Sequence, residues 1–340
     1  SVRGVGLIDA GGGDGWQSAT HGWLGPGGGG GRVAVYYGDA ANFDLASQVV
    51  ARGGLGYSNA SWGGAGTVYL KQATAQLGEL RVDNTGAPEG NVAVTELSGT
   101  IDEPIQGSSA DILILPGAIL NGLVDLVGAD IDVNGASFSG PVYLSGTQIN
   151  AVGTTFTGTT DLVATQINVS GANLSGETYV SGSAISGAGA SFTGSLYLSS
   201  TQLDASGMVF NLNELELVTG SEISNAQAVD ASSDKLEVQA NRIEIDVSSK
   251  IDVSAKGLSF TGASRAGGSY GGRGGVYDIG VSNATYGSYQ QPVDFGVGGY
   301  SGPLGGGVLK LVVTQELVLE GQILARGQSF IAGGDAGGSG

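Results

Sequence analysis

The chain has 340 residues, 65 of them glycine and none cysteine, so no disulfide or thiolate chemistry is open to it. A single histidine, His21, excludes a Ser-His-Asp triad or a multi-histidine metal site within one chain. The net charge of −18 is unevenly spread, with no Lys or Arg between residues 82 and 234 against seventeen Asp and Glu, which makes nucleic acid and anionic membrane surfaces unfavourable partners.

Residues 1–66 are glycine-rich with sparse strands. Val-Gly-Leu-Ile-Asp at 5–9 is the first, the glycine run at 27–31 leads into Arg-Val-Ala-Val-Tyr-Tyr at 32–37, and Gly-Gly-Ala-Gly at 63–66 leads into Thr-Val-Tyr-Leu-Lys at 67–71. Neither glycine cluster is followed by a helix signal or by the Gly-Lys-Ser/Thr ending that a phosphate-cradling loop needs. Tight corners and close backbone approach are the expected uses of glycine there. The opening at Ser1, without methionine or a signal-like apolar run, reads as a mature or excised piece. From residue 77 to 110 the stretches at 80–82 and 92–94 and Ile101 read as irregular coils, with Pro88 and Pro104 in their turns.

The centre, 111–217, repeats every 18 residues. Leu113, Ile131, Ile149, Ile167, Ile185 and Leu203 form one apolar column, and Leu120, Phe138, Phe156, Leu174, Phe192 and Phe210 a second. Gly117, Gly135, Gly153, Gly171, Gly189 and Gly207 keep the same step, as do Gly122, Gly140, Gly158, Gly176 and Gly194. A unit too short to bury its own apolar face, stacked so that neighbours bury a continuous core, is the physical meaning of such a period. Within each unit apolar residues come in i, i+2 pairs, such as Ile131 with Val133, Ala136 with Phe138 and Val142 with Leu144, so the pieces are short strands. Three pairs per unit describe a three-sided parallel β-helix with coils about 4.8 Å apart. The strong preference for right-handed parallel crossovers predicts a right-handed one. A left-handed hexapeptide helix wants an apolar residue every six, whereas position 137 and its equivalents are Ser, Thr or Asn. The apolar stretch at 112–131 is interrupted by Pro116, Asn121, Asp125 and Asp130 and is explained by the period, so no membrane span is expected.

Beyond residue 217 the period loosens to about 20 or 21 through Ile223, Val229, Leu236 and Val238, and Ile243, Ile245, Val247, Ile251, Val253, Leu258 and Phe260 continue the alternation. Glycine dominates again from 263. Gly-Gly-Ser-Tyr-Gly-Gly-Arg-Gly-Gly at 267–275, Tyr-Gly-Ser-Tyr at 286–289 with Pro-Val-Asp-Phe-Gly at 292–296, and the glycine-led strand at 305–313 resemble glycine-rich modules of very large bacterial surface proteins. The regular centre is similar to the β-helical shafts of filamentous-haemagglutinin-like adhesins. The resemblance implies an extracellular structural or adhesive role, with the end of one module leading into a strand like that at 5–9 of the next; it brings no catalytic residues.

The fold class expected is all-β, a right-handed parallel β-helix with about 18-residue coils and glycine-rich flanks. Its parts are 1–66, 67–260 (regular coils 111–217) and 261–340, in one continuous solenoid. Outward positions form columns. Asp132, Asn150, Asn168, Ser186 and Asp204 suit a hydrogen-bonded side-chain ladder, with calcium as the alternative reading and Asp130, Asp132 and Asp204 as its candidates, although single acids supply too few oxygens. Tyr143, Asp161, Tyr179 and Tyr197 form a column suited to packing or to sugar contact. The hydroxyl-rich set Ser137, Ser139, Thr155, Thr157, Asn173, Ser175, Ser191 and Thr193 has the flatness of an ice-binding face, but only one coil carries two threonines. Glu214 and Glu216 flank inward Leu215, about 7 Å apart on one strand, as in an inverting glycosidase, yet any strand with two outward acids gives that spacing. A polysaccharide lyase would want an Arg or Lys base that the regular coils lack. No enzymatic activity is expected. A β-helix end exposes unpaired strand edges, so the partner expected is the chain itself, head to tail in a shaft or filament; a carbohydrate-binding adhesin or a β-helical polysaccharide-active enzyme is the alternative.

Overall fold

The computed structural model describes residues 1–16, 24–57, 61–87, 92–109, 111–260, 264–329 and 337–340; His21, Pro88 and residues 330–336 lie outside them. Every helix or strand assigned among these residues is a strand, and most strands pair in parallel. The chain forms two compact units, Ser1–Thr178 and Tyr179–Gly340.

In the first unit Val124–Asp132, Val142–Asn150 and Thr160–Asn168 pair in succession, each residue opposite its equivalent in the next repeat, so that Ile131 faces Ile149 and Ile149 faces Ile167. Ile119–Leu120, Ser137–Phe138, Thr155–Phe156 and Asn173–Leu174 stack the same way. Ile131, Phe138, Ile149, Phe156, Ile167 and Leu174 are all buried, each contributing about 1.5–3 kcal/mol through removal from water. The rings of Phe138 and Phe156 stack at 5.1 Å and 7°.

The two glycine columns serve different ends. Gly117, Gly135, Gly153 and Gly171 turn the same corner with φ between +65° and +82°, a conformation that L side chains resist. Gly140, Gly158 and Gly176 have no unusual φ, but a Cβ on any of them would come closer than 3.0 Å to the carbonyl oxygen of the glycine below. One column is a conformational requirement and the other a steric one.

The period is not perfect at its start. Ile131 pairs with Ile112 rather than with Leu113, because Leu115 and Pro116 fill the corner that Asn134 fills alone in the next repeat. Ile112 is 1% exposed, and Leu113 is only half-buried. Upstream, Glu79–Asp83 runs antiparallel to Thr67–Gln72 and parallel to Ile105–Ser108. Arg32–Tyr37 lies parallel to Thr67–Gln72. Phe43, from the loop after Arg32–Tyr37, packs with Val35, Val49, Val68 and Leu70 and closes this end of the core. Of the expected strand at 5–9 only Ile8–Asp9 forms, against Val49–Val50, and Val5 and Leu7 are exposed.

The glycine runs of this unit pack backbone on backbone. Gly28 N donates to Gly13 O, Gly54 N to Gly28 O and Gly63 N to Gly54 O, at 2.8, 2.8 and 3.0 Å. A Cβ on Gly12, Gly27, Gly53, Gly54 or Gly63 would come closer than 3.0 Å to a neighbouring glycine carbonyl.

In the second unit Ile185 faces Leu203, Leu203 faces Ile223 and Phe192 faces Phe210; Ile185, Leu203, Phe192 and Phe210 are buried. Thereafter the repeat lengthens well past the loosened step expected from the sequence. Leu215 pairs with Ile243, and Ile243 in turn pairs with Leu317, so each of these coils carries a long corner insertion. Val229 and Val247, apolar residues expected to continue the alternation, sit 87% and 79% exposed in corners. Leu258–Phe260 pairs with Val297–Gly298 instead of with the main ladder. The segment between packs with residues 305–307 and 337–340 into a glycine-rich body, Gly268 N donating to Gly337 O at 2.9 Å and Gly296 N to Gly306 O at 3.0 Å, and Val276–Val281 pairs antiparallel with Ser264–Ala266.

This glycine body repeats the plan of the first unit. Lys250–Asp252 pairs with Gln322–Leu324 as Ile8–Asp9 pairs with Val49–Val50. Gly307 N donates to Val253 O at 2.7 Å, as Gly31 N does to Ala10 O at 2.7 Å. Gly306 abuts the Ala325 carbonyl as Gly30 abuts that of Ala51.

Candidate functional site

Parallel pairing turns each outward residue into one rung of a column, so the candidate groups can be followed rung by rung. In the first unit Tyr143 stands between Asp125 and Asp161, and it is 43% exposed. Burial pushes the Asp161 carboxyl up. The Asp132, Asn150, Asn168 column is in register, but Asp132 and Asn168 look along their own chain. Asp132 Oδ1 accepts from Asn134 N at 3.1 Å, and Asn168 Oδ1 accepts from Ser170 N at 3.1 Å and Ser170 Oγ at 2.7 Å. Asp204 does the same for Ser206 N at 3.1 Å. These side chains cap the corner two residues ahead, the usual work of Asx turns. Asp130 faces Asp111, whose carboxyl is raised mainly by burial, with the Asp130 charge adding to it. Among the described residues no three His, Cys, Asp or Glu side chains converge as metal ligands.

The hydroxyl array is engaged as well. Thr157 Oγ1 and Ser175 Oγ donate to Phe138 O and Phe156 O at 3.2 Å each, and Ser139 Oγ donates to Asn121 Oδ1 at 2.8 Å.

In the second unit Tyr179 and Tyr197 stack at 4.6 Å and 11°. The ring faces turned toward each other are therefore occupied within the column and closed to a sugar ring. Tyr197 continues in register to Glu216 and Glu244. Tyr197 Oη donates to Glu214 Oε2 at 3.1 Å, and its phenol is raised by burial first and by Glu214 next. Glu214 faces Arg242, whose guanidinium also meets Glu244 and, at 3.1 Å, Glu316. Those carboxylates hold Arg242 firmly in its charged form. No matching protein family, curated protein or solved structure is found for this chain.

Arg242 is the residue that sequence reasoning missed. Its offset from Glu214 falls outside the regular frame of the central repeats, and only the longer coil brings the two together. The two acids flanking Leu215 consequently differ: Glu214 is clamped by Arg242 and Tyr197, while Glu216 faces Glu244 in the ladder. Burial first, then the Glu244 and Glu214 charges, push the Glu216 carboxyl up, with Arg242 opposing. Its folded value lies above its unfolded one, so ionisation opposes folding at neutral pH, and the penalty vanishes as pH falls below about 4.3. Glu216→Gln is expected to stabilise the protein at pH 7 by up to about 1 kcal/mol and to bring no gain at pH 3. Urea unfolding at the two pH values reads the difference; an equal effect at both would mean that charge is not the cause.

A groove of about 340 Å³ runs beside Ala46, lined by Arg81, Asp83, Gln106, Ser108 and Asp125. The Arg81 guanidinium bonds the carbonyls of Leu45 and Ala46 at 2.5 and 3.2 Å and ties that loop to the sheet. Asp83 accepts from Ser108 Oγ at 2.9 Å and pairs with Arg52 at 3.2 Å. Arg81 is thus spent on the loop, and Asp83 on Ser108 and Arg52, a structural use.

Proposed function

We propose that the chain is a right-handed parallel β-helix that serves as an extracellular structural or adhesive module of a bacterial surface protein, extended coil on coil into a shaft, without catalytic activity. The observation that carries this reading is the bare last rung of the second unit. Ile243 and Ile245 are 0% exposed, while Leu317 and Leu319, their partners in the final strand, are 44% and 46% exposed. Among the described residues Leu309–Leu319 pairs only with Leu236–Ile245. An uncapped edge with an apolar face is a template for another strand.

The first unit supplies the form of that strand. There Thr67–Gln72, led in by Gly63, Gly64 and Gly66, covers Arg32–Tyr37. In the second unit Gly338 abuts Leu304 O, and Gly306 N donates to Ser339 O at 2.7 Å, so a glycine lead is already seated beside the bare edge. The partner is a further glycine-led coil, from a covalent repeat or from another copy of the chain, and the non-closing geometry of such contacts builds fibres. No helix among the described residues is long and apolar enough to cross a membrane.

Negative-stain microscopy and sedimentation across a concentration series test this. The unaltered chain is expected to associate end to end into fibres of constant width, and L317K with L319K to abolish association while far-UV circular dichroism stays unchanged. A monodisperse chain at every concentration, or fibres undiminished by the double substitution, overturns the reading.

A further inference from the structure

The glycine body of the second unit carries an aromatic pocket that plays no part in the bare edge and shares no residue with it. About 280 Å³ in size, it is lined by Tyr270, Tyr286 and Tyr289 together with Thr285, Ser288 and Pro292. From this pocket we infer that the chain has a binding site for one neutral sugar ring of a glycan.

The pocket is built rather than incidental. Tyr286 Oη donates to Phe295 O, and Tyr286 N donates to Tyr270 O at 3.1 Å, which fixes the ring from both ends. Burial, then the neighbouring Tyr270 and Asp294, push the Tyr286 phenol up to about 12, so it stays neutral. Tyr270 and Tyr286 meet at 5.0 Å with a 48° tilt. Unlike the flat stack of Tyr179 on Tyr197, this tilt opens an aromatic corner. Gly287, at φ +80°, keeps the corner clear, because a Cβ there would stand 2.7 Å from the Tyr270 ring and 3.0 Å from Asp294 Oδ2. Tyr289 is 94% exposed and makes an outer wall. Ser288 Oγ accepts from the amides of Gln290 and Gln291 at 3.2 Å each, fixing the turn that carries that wall. The Tyr270 hydroxyl is buried without a hydrogen-bond partner among the described residues, an uncommon state for such a group.

Tyrosine faces offer apolar area with a polar rim, and the C–H face of a pyranose matches the first while its hydroxyls match Thr285 and Ser288. An anionic sugar is disfavoured by Asp294 beside the pocket and by the chain's net charge of −18. A quaternary ammonium wants rings closing around it on several sides, whereas here two rings pack on each other and the third stands out in solvent. The volume of about 280 Å³ lies just below the usual range of ligand sites, about 300–1,000 Å³, which suits one ring and not a long segment.

The full chain, titrated with methyl glycosides of glucose, galactose, mannose and N-acetylglucosamine and followed by saturation-transfer NMR, tests the site. At least one glycoside is expected to bind saturably, with glucuronate and tetramethylammonium silent. Tyr289→Ala, at an exposed position with no bearing on folding, is expected to weaken binding about tenfold, and Gly287→Ala to abolish it. Failure of all four glycosides, binding unchanged in Tyr289→Ala, or preferential binding of tetramethylammonium overturns the inference. The result is independent of fibre formation, since L317K with L319K leaves the pocket intact.

Discussion

Gly63→Ala is expected to disrupt the glycine-packed end of the first unit, at a cost of about 3 kcal/mol or more, while Gly29→Ala is tolerated within about 0.5 kcal/mol. Neither glycine has a left-handed φ, so the pair separates steric need from conformational need. A Cβ on Gly63 would come closer than 3.0 Å to both the carbonyl carbon and oxygen of Gly28; on Gly29 the nearest atom is Gly64 O at 3.9 Å. The Gly28 carbonyl cannot simply move away. It accepts from Gly54 N at 2.8 Å, and Gly28 N donates to Gly13 O at 2.8 Å, so parting Gly63 from Gly28 breaks bonds to two further segments. Urea unfolding and amide exchange at Gly28, Gly54 and Gly63 provide the readout. Equal loss in the two variants would mean that these glycines serve chain flexibility and not close approach.

The same contrast shows where sequence is informative. Inward positions must be apolar on every rung, so Ile131, Ile149 and Ile167 announce themselves by spacing, as do the stacked Phe138 and Phe156. The glycine columns are equally visible, but a glycine needed for φ at Gly135 and one needed for room at Gly140 look alike as letters. Corners are free to vary, and there the reading slips. One extra corner residue moves the ladder from Leu113 to Ile112, and corner insertions lengthen the later steps, from Leu215 to Ile243 and from Ile243 to Leu317. The link from Glu214 to Arg242 depends on the first of those insertions. Inward hydroxyls were hidden for a different reason, since a polar letter reads as outward. Thr201, Ser221 and Ser249 are buried, with Ser221 Oγ accepting from Thr201 N at 3.2 Å and Ser249 Oγ from Ser221 N at 3.1 Å, so the Ser221 and Ser249 hydroxyls meet backbone donors of the preceding rung and are satisfied while buried. The tyrosine pocket falls in a glycine-rich stretch with no period at all, and only tertiary packing assembles it.

Phe156→Ala is expected to destabilise the first unit by about 3–5 kcal/mol, the usual toll of emptying an aromatic site in a core. That is a fall in melting temperature on the order of 10 °C for a body of this size. Phe156 is 1% exposed, stacks on Phe138 at 5.1 Å and faces Leu174 on its other side, so its loss opens a hole shared by two interfaces. In a repeat protein those nearest-neighbour interfaces carry most of the stability. The hole cannot collapse easily, because Thr157 N to Phe138 O at 3.0 Å and Ser175 N to Phe156 O at 2.9 Å hold the strands at fixed spacing above and below. Restricted relaxation puts the loss toward the upper part of the range. Phe156→Leu is expected to lose much less, since Leu120 and Leu174 already occupy this position in the column. Tyr143→Ala, on the outward face and 43% exposed, is expected to change stability little. Thermal and urea unfolding of the three variants decide the matter: a Phe156→Ala loss no larger than that of Tyr143→Ala would mean that the ring column does not hold the repeats together.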